Sequence, residues 1–264
     1  MAVRIETNGP VWTIIHSRFE ARNAMDPESA TALYEAFKRF DADDTAQVAV
    51  FWGEGGVFCA GYDLKHAAQE TSADNLSTID FPADGPPPQA PMGPSRLDLS
   101  KPVIAAIAGA AVAGGMELAM WADIRVMEET AFMGVYCRRW GVPLIDGGTV
   151  RLPRLVGEGK AMDLILTGRR VDALECSQIG LCEYLVPEDG AREKAEEIAH
   201  SLTKFPQSCM NADRKSVRAQ HGLSEQDALR QEWEISSPEF AKVGKEGAGR
   251  FAGGKGRGGN FSDI

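Results

Sequence analysis

No apolar run in this 264-residue chain approaches the roughly 20 residues that a bilayer-spanning helix needs. The opening "MAVRIETNGPVWTI" also lacks the basic start, apolar centre and small-residue cleavage site of a secretory signal. Cysteine is scarce and shows no pairing pattern. Cys59, Cys137, Cys176, Cys182 and Cys209 are odd in number, scattered, and form no C-x-x-C. A disulfide framework or a zinc site is therefore not expected; buried free thiols in a reducing cytoplasm are. Four histidines (His16, His66, His200 and His221) are too dispersed to suggest a metal cluster. Positive charge is short as well, with 28 Lys and Arg against 38 Asp and Glu, for a net charge of −10. Such a chain repels nucleic acid. An anionic ligand must be held by a few placed cations and backbone N–H groups rather than by the overall field.

What the chain does have is ordinary globular composition, 44% hydrophobic and 25% charged, at a length that suits one large domain or one domain with an appendage. "VRIETNGPVWTIIHS" reads as a hairpin turning at Asn8-Gly9-Pro10. In "DPESATALYEAFKRFDAD", Asp26 is a candidate N-cap and Pro27 a first helical residue, with Ala30, Leu33, Ala36, Phe37 and Phe40 at helical spacing. "VAVFWG", "KPVIAAIAG", "DIRVMEET" and "AFMGVY" read as strands, and "LKHAAQETS" and "GGMELAMWA" as helices. "EGKAMDLILTG" reads as a helix with apolar Met162, Leu164, Ile165 and Leu166. This order implies α/β layering with parallel strands. From about residue 189 the sequence is helical, and a glycine-rich stretch closes it. Residues 82–94 hold six of the fourteen prolines and form a long loop, either a lid over a site or a surface excursion.

Two glycine turns follow strands. "GEGGVFCAGYDL" (53–64) is neither a P-loop nor a G-x-G-x-x-G, since no Gly-Lys-Ser/Thr follows and the spacing differs. "IAGAAVAGGMELAM" (107–120) runs from a strand through Gly114-Gly115 into a helix, whose first N–H groups lack intrahelical partners. Each turn alone is explained by tight strand–helix packing. Together, the N–H of Tyr62 and the turn at Gly114 could converge on one carbonyl oxygen as an oxyanion hole, worth about 3–4 kcal/mol per donor. Glu117, in the first turn of that helix, is either an acid/base beside those donors or a charge favoured by the helix dipole.

"ARNAMD" (21–26), "FCAGYDL" (58–64), "AGAAVAGGMELAMWADIRV" (108–126) and "GGTVRLPRLVG" (147–157), in this order and spacing, resemble the enoyl-CoA hydratase/isomerase (crotonase) family. The likeness is strong over about the first 190 residues. It implies an α/β fold, a crotonase-like spiral of ββα turns with two steeply angled sheets. Residues 1–190 would form the spiral core with the thioester site, and 191–264 a helical region for trimers, often paired as hexamers. It also implies an acyl-CoA substrate with no separate cofactor, an oxyanion hole at Tyr62 and Gly114, and Glu117 as the first of two family glutamates. Ala21, Arg22 and Ala24, with Ala60, Asp63, Leu64 and Lys65, would contact coenzyme A. Arg22 or Lys65 would neutralise a phosphate, unless they are solvated surface charges.

The sequence departs from the family at the second glutamate, where Cys137 stands. Asp146, before Gly147-Gly148, is the nearest carboxylate: a second acid/base, a group that orients water, or the N-cap of the next helix. Cys137 as a nucleophile is disfavoured, with no histidine close in sequence. Arg138 and Arg139 would meet an anionic acyl group, a neighbouring subunit, or solvent. His66 would face the acyl pocket or lie on a surface helix. The leading expectation is hydration of a trans-2-enoyl-CoA. Double-bond isomerisation by one carboxylate and a catalytically silent acyl-CoA-binding subunit are the rivals.

Overall fold

Turn chemistry and apolar runs build the first elements. In the computed structural model, which describes residues 2–69 and 79–256, β1 (Val3–Asn8) and β2 (Val11–His16) form the expected antiparallel hairpin. Helix α1 (Pro27–Ala42) starts where Asp26 accepts the Ser29 N–H at 2.8 Å. Its buried face carries Ala30, Leu33, Ala36, Phe37 and Phe40, the residues picked out by helical spacing. β3 (Val48–Gly53) and β4 (Val103–Ile107) are nearly continuous apolar runs because both faces of a parallel sheet are covered. Between them lies the short helix α2 (Leu64–Ala67), and after them come β5 (Ala110–Val112) and α3 (Gly114–Trp121). All eight residues of α3 are buried, so it carries no amphipathic period.

The chain continues through β6 (Ile124–Glu128), β7 (Phe132–Gly134), α4 (Gly148–Val156), α5 (Glu158–Thr167), β8 (Val171–Asp172), α6 (Ala173–Gln178) and β9 (Tyr184–Val186). Strand–strand–helix turns thus recur along the chain. Six strands form one sheet in the order β1-β2-β3-β4-β6-β9, parallel except for the opening hairpin. A second sheet has the order β5-β7-β8. Aromatic rings lock α1 and α3 to the large sheet: Phe37 meets Trp121 edge-on at 4.8 Å and Phe51 at 5.5 Å, and Phe51 meets Phe58 at 5.1 Å. Such pairs add about 0.5–1.5 kcal/mol each beyond burial.

The chain divides into two compact units, 1–199 and 200–264. Helix α7 (Ala191–Leu202) begins in the first, where Thr13 donates to Glu196 at 2.8 Å. The second contains α8 (Gln207–Ala219), α9 (Glu225–Glu239) and α10 (Lys245–Ala252). Helix therefore reaches into "KEGAGRFA", beyond the expected start of the glycine-rich end. Its apolar residues Leu229, Trp233, Phe240 and Phe251 are exposed in the single chain. In α5 only Leu164 of the four expected apolar residues is buried; Met162 and Leu166 are exposed. No helix of the described residues is long and apolar enough to cross a membrane.

Candidate functional site

The two glycine turns, more than fifty residues apart in sequence, touch. Cys59 bridges Ala111 in parallel register, which draws the end of the β3 turn alongside β5. Gly61 has φ +93°, and a Cβ there would stand 2.9 Å from the Ala113 Cβ and 3.2 Å from the Gly114 nitrogen. Glycine is required twice over, by backbone conformation and by the approach of the second turn. Ala113, the N-cap of α3, itself adopts φ +53°, so backbone strain is concentrated at this junction. Tyr62 and Gly114 thereby line one cavity of about 1040 Å³, together with Ala60, Leu64, Glu117 and Asp146.

Glu117 is only 3% exposed, the one charged residue on the buried α3 helix. Its Oε1 accepts the N–H groups of Asp146 at 3.0 Å and Gly148 at 2.8 Å, both from the turn that opens α4. Burial, reinforced by the negative charge of Asp146, pushes its carboxyl up to about 7. A carboxyl poised near neutrality can both take and return a proton. Asp146 is equally buried; burial raises it too, opposed by the Ser95 hydroxyl and the Met92 N–H that its Oδ1 accepts at 2.5 and 3.0 Å. The N-cap of α4 is Gly147, with no side-chain cap, so Asp146 does not serve as the cap.

Several expected contacts fall elsewhere. Ala21, Arg22, Ala24, Asp63 and Lys65 do not line the cavity. The segment 21–25 instead lies against its rim: Ala60 N–H donates to the Arg22 carbonyl at 3.1 Å, and Met25 bridges Tyr62. Asp63 is a scaffold residue. Its carboxylate caps α2 and pairs with Arg18 at 2.8 Å, while Arg18 also meets Asp26, the cap of α1, at 3.2 Å. Arg22 and Lys65 are exposed. Arg138 and Arg139 turn away from the cavity and donate to the Ile165 and Gly168 carbonyls at the end of α5, at 3.2 and 3.3 Å.

The cavity also gathers residues that spacing could not find. His66 lines it, contrary to the surface-helix alternative, with its ring 6.5 Å from that of Tyr62. Met92 and Pro91 come from the proline-rich loop, which therefore contributes a wall. Tyr136, Cys137, Trp140 and Ile145 line it as well. Cys137 is buried, and burial raises its thiol, with the Glu117 charge adding to the effect, so it is not an activated nucleophile. Asn23, at φ +52° and fully buried, accepts the Arg18 N–H and donates to the Glu54 and Val57 carbonyls at 2.8 and 2.6 Å. It fixes the rim beneath the first glycine turn. The motif "ARNAMD" contained it, and its role became visible only with its partners in place.

A family model described as enoyl-CoA hydratase/isomerase matches residues 6–255. The enoyl-CoA hydratase EchA19 of Mycobacterium tuberculosis is 34% identical over 256 residues, 94% of this chain and 92% of that protein. A carnitinyl-CoA dehydratase of Proteus mirabilis is 37% identical over 76% of this chain and 75% of its own. Among solved structures, enoyl-CoA hydratase EchA1 of Mycobacterium marinum superposes with a TM-score of 0.85 at 30% identity, covering 95% of each chain. The enoyl-CoA hydratase of Bacillus anthracis reaches a TM-score of 0.86 at 27% identity over 96% of both.

Proposed function

The chain belongs to the enoyl-CoA hydratase/isomerase family, and from that premise we propose that it adds water across the double bond of a trans-2-enoyl-CoA thioester. The observation that carries this reading is Glu117: a buried carboxyl held near 7 in the same cavity wall as the paired Tyr62 and Gly114 turns. The thioester oxygen accepts hydrogen bonds from the Tyr62 and Gly114 N–H groups, where negative charge develops as the enolate forms. Glu117 takes a proton from water as the water oxygen bonds to the β-carbon and the π electrons move to the thioester oxygen. The same carboxyl then returns that proton to the α-carbon. Hydroxide and proton are both delivered, and the enzyme is unchanged.

Coenzyme A enters as part of the substrate, and no separate cofactor takes part. Its adenine and phosphates are assigned to the rim formed by Ala21, Arg22, Ala24 and Lys65, with Ala60 and Leu64 along the pantetheine path and Asp63 holding that path in shape. The exposed Trp233, Phe240 and Phe251 support assembly into homotrimers or paired trimers, and the free thiols support a cytoplasmic location. Cys137, standing where the resemblance puts a second glutamate, favours one competing reading. A single carboxylate suffices to move a proton between the α- and γ-carbons in double-bond isomerisation.

The purified protein mixed with a short trans-2-enoyl-CoA tests both readings through loss of the conjugated thioester absorbance. Hydration gives 3-hydroxyacyl-CoA. A protein that leaves this substrate intact, yet interconverts 3-enoyl and 2-enoyl esters, refutes hydration in favour of isomerisation.

A further inference from the structure

The backbone turn that holds Glu117 is tied, through one aspartate, to a wall of the cavity. The backbone N–H of Asp146 donates to Glu117 Oε1 at 3.0 Å. Its side-chain Oδ1 simultaneously accepts the Met92 N–H at 3.0 Å and the Ser95 hydroxyl at 2.5 Å. Arg151, one turn into α4, donates to the Asp146 carbonyl at 2.8 Å and to the Ser95 carbonyl at 2.6 Å. Met92 then packs on the second glycine turn: a Cβ on Gly114 would stand 2.5 Å from its sulfur. Hydrogen bonds thus join the 92–95 segment to the turn that holds Glu117, and the Met92 side chain packs that segment onto the Gly114 turn.

Asp146 is bound into the scaffold from both ends: its Oδ1 accepts two donors from the cavity wall, and its own N–H holds Glu117 Oε1. We infer that Asp146 is a positioning residue: its carboxylate ties the 92–95 wall to the turn that holds Glu117 and sets a negative charge beside that base. The inference rests on Glu117 as the base of the proposed reaction. Arg96 and Arg151 face Asp146, and so does the buried Cys59 thiol; Arg151 and the Cys137 thiol face Glu117. The charges of Asp146 and Arg151 act on the base with opposite sign. Asp146 makes Glu117 hold its proton more tightly and Arg151 makes it hold the proton less tightly.

The test is an NMR titration of the glutamate side-chain carboxyl carbons in the full-length protein, with Glu117 assigned by its loss in Glu117→Gln. The Glu117 midpoint is expected to fall by about one pH unit in Asp146→Asn and to rise in Arg151→Gln, in line with a neighbouring charge being removed. With an enoyl-CoA substrate, Asp146→Asn is expected to raise KM as the wall loosens and to lower kcat by less than about tenfold. A drop of about 10²–10⁴-fold in kcat, with one limb of the pH–rate profile lost, would mark a direct acid/base and overturn the inference. So would a Glu117 midpoint that moves in neither variant. Where Asp146→Asn does not fold, Arg151→Gln decides alone: a rise upholds the joint and no rise overturns it. The titration needs no turnover, so a protein inactive on every enoyl-CoA overturns the proposed reaction and leaves the titration to judge the joint.

Discussion

Replacing Glu117 with glutamine should disable this protein and stabilise it at the same time. In the native chain burial and the Asp146 charge raise the Glu117 carboxyl from 4.5 to about 7. The folded state thus holds this proton more tightly than the unfolded chain does. Stability contributed by the neutral form is fully present below about 4.5, falls as pH rises, and is gone above about 7. At 1.36 kcal/mol per unit, a shift of about 2.5 units costs the native state about 3 kcal/mol at pH values above 7. Glutamine stays neutral throughout, and its amide oxygen can still accept the Asp146 and Gly148 N–H groups. Thermal melts should then show Glu117→Gln about 6–12 °C above the parent at about pH 8, with the gap closing towards pH 4.5. Hydration should meanwhile fall by about 10²–10⁴-fold, or about 3–5 kcal/mol of transition-state stabilisation. A melting gap that does not change with pH, or a variant that melts below the parent at about pH 8, refutes the electrostatic account. Turnover within tenfold of the parent refutes the catalytic one.

His16 should tilt stability the other way. It is fully buried on β2, neither ring nitrogen has a partner among the described residues, and burial holds it down to about 4. Its contribution is present above about 6.5 and is lost as pH falls to about 4, by about 3 kcal/mol. His16→Leu should therefore flatten the acid side of a denaturation series; an unchanged acid slope would rule this out. Gly61→Ala should lower kcat/KM by at least about 10²-fold, because a methyl at φ +93° drives the first glycine turn off the Gly114 nitrogen. Near-normal turnover in that variant would show that the two turns do not act together.

Local chemistry made much of the fold legible in advance. Asp26-Pro27 ahead of a 3.6-residue apolar period gave α1, and Asn8-Gly9-Pro10 gave the hairpin, because caps and turns are decided within a few residues. Where local signals were weak, the reading ran short. "KEGAGRFA" is interrupted by two glycines, and helix nonetheless continues through it. The helix at α5 was legible, but which of its apolar residues are buried was not: Met162 and Leu166 face outward.

The candidate site divides in the same way. The sequence by itself determined the parts whose function depends on backbone shape near one position: the glycines at 61 and 114, and a carboxylate in the first turn of α3. The family resemblance, for its part, set Cys137 where a second glutamate was expected. Only the tertiary structure decided which of these parts meet. Gly61 reaches the Gly114 nitrogen because Cys59, beyond the end of β3, bridges Ala111 on β5, the strand that leads into the Gly114 turn. Glu117 moves to about 7 because α3 is buried on all faces and Asp146 is folded against it from 29 residues away. His66 and Met92 become cavity walls, and Asp63 becomes a brace for Arg18, through contacts that no spacing encodes. Proton affinity is set by solvent exclusion and neighbouring charge. Both are properties of the packed chain, and they come into being only when segments distant in sequence close around the same few atoms.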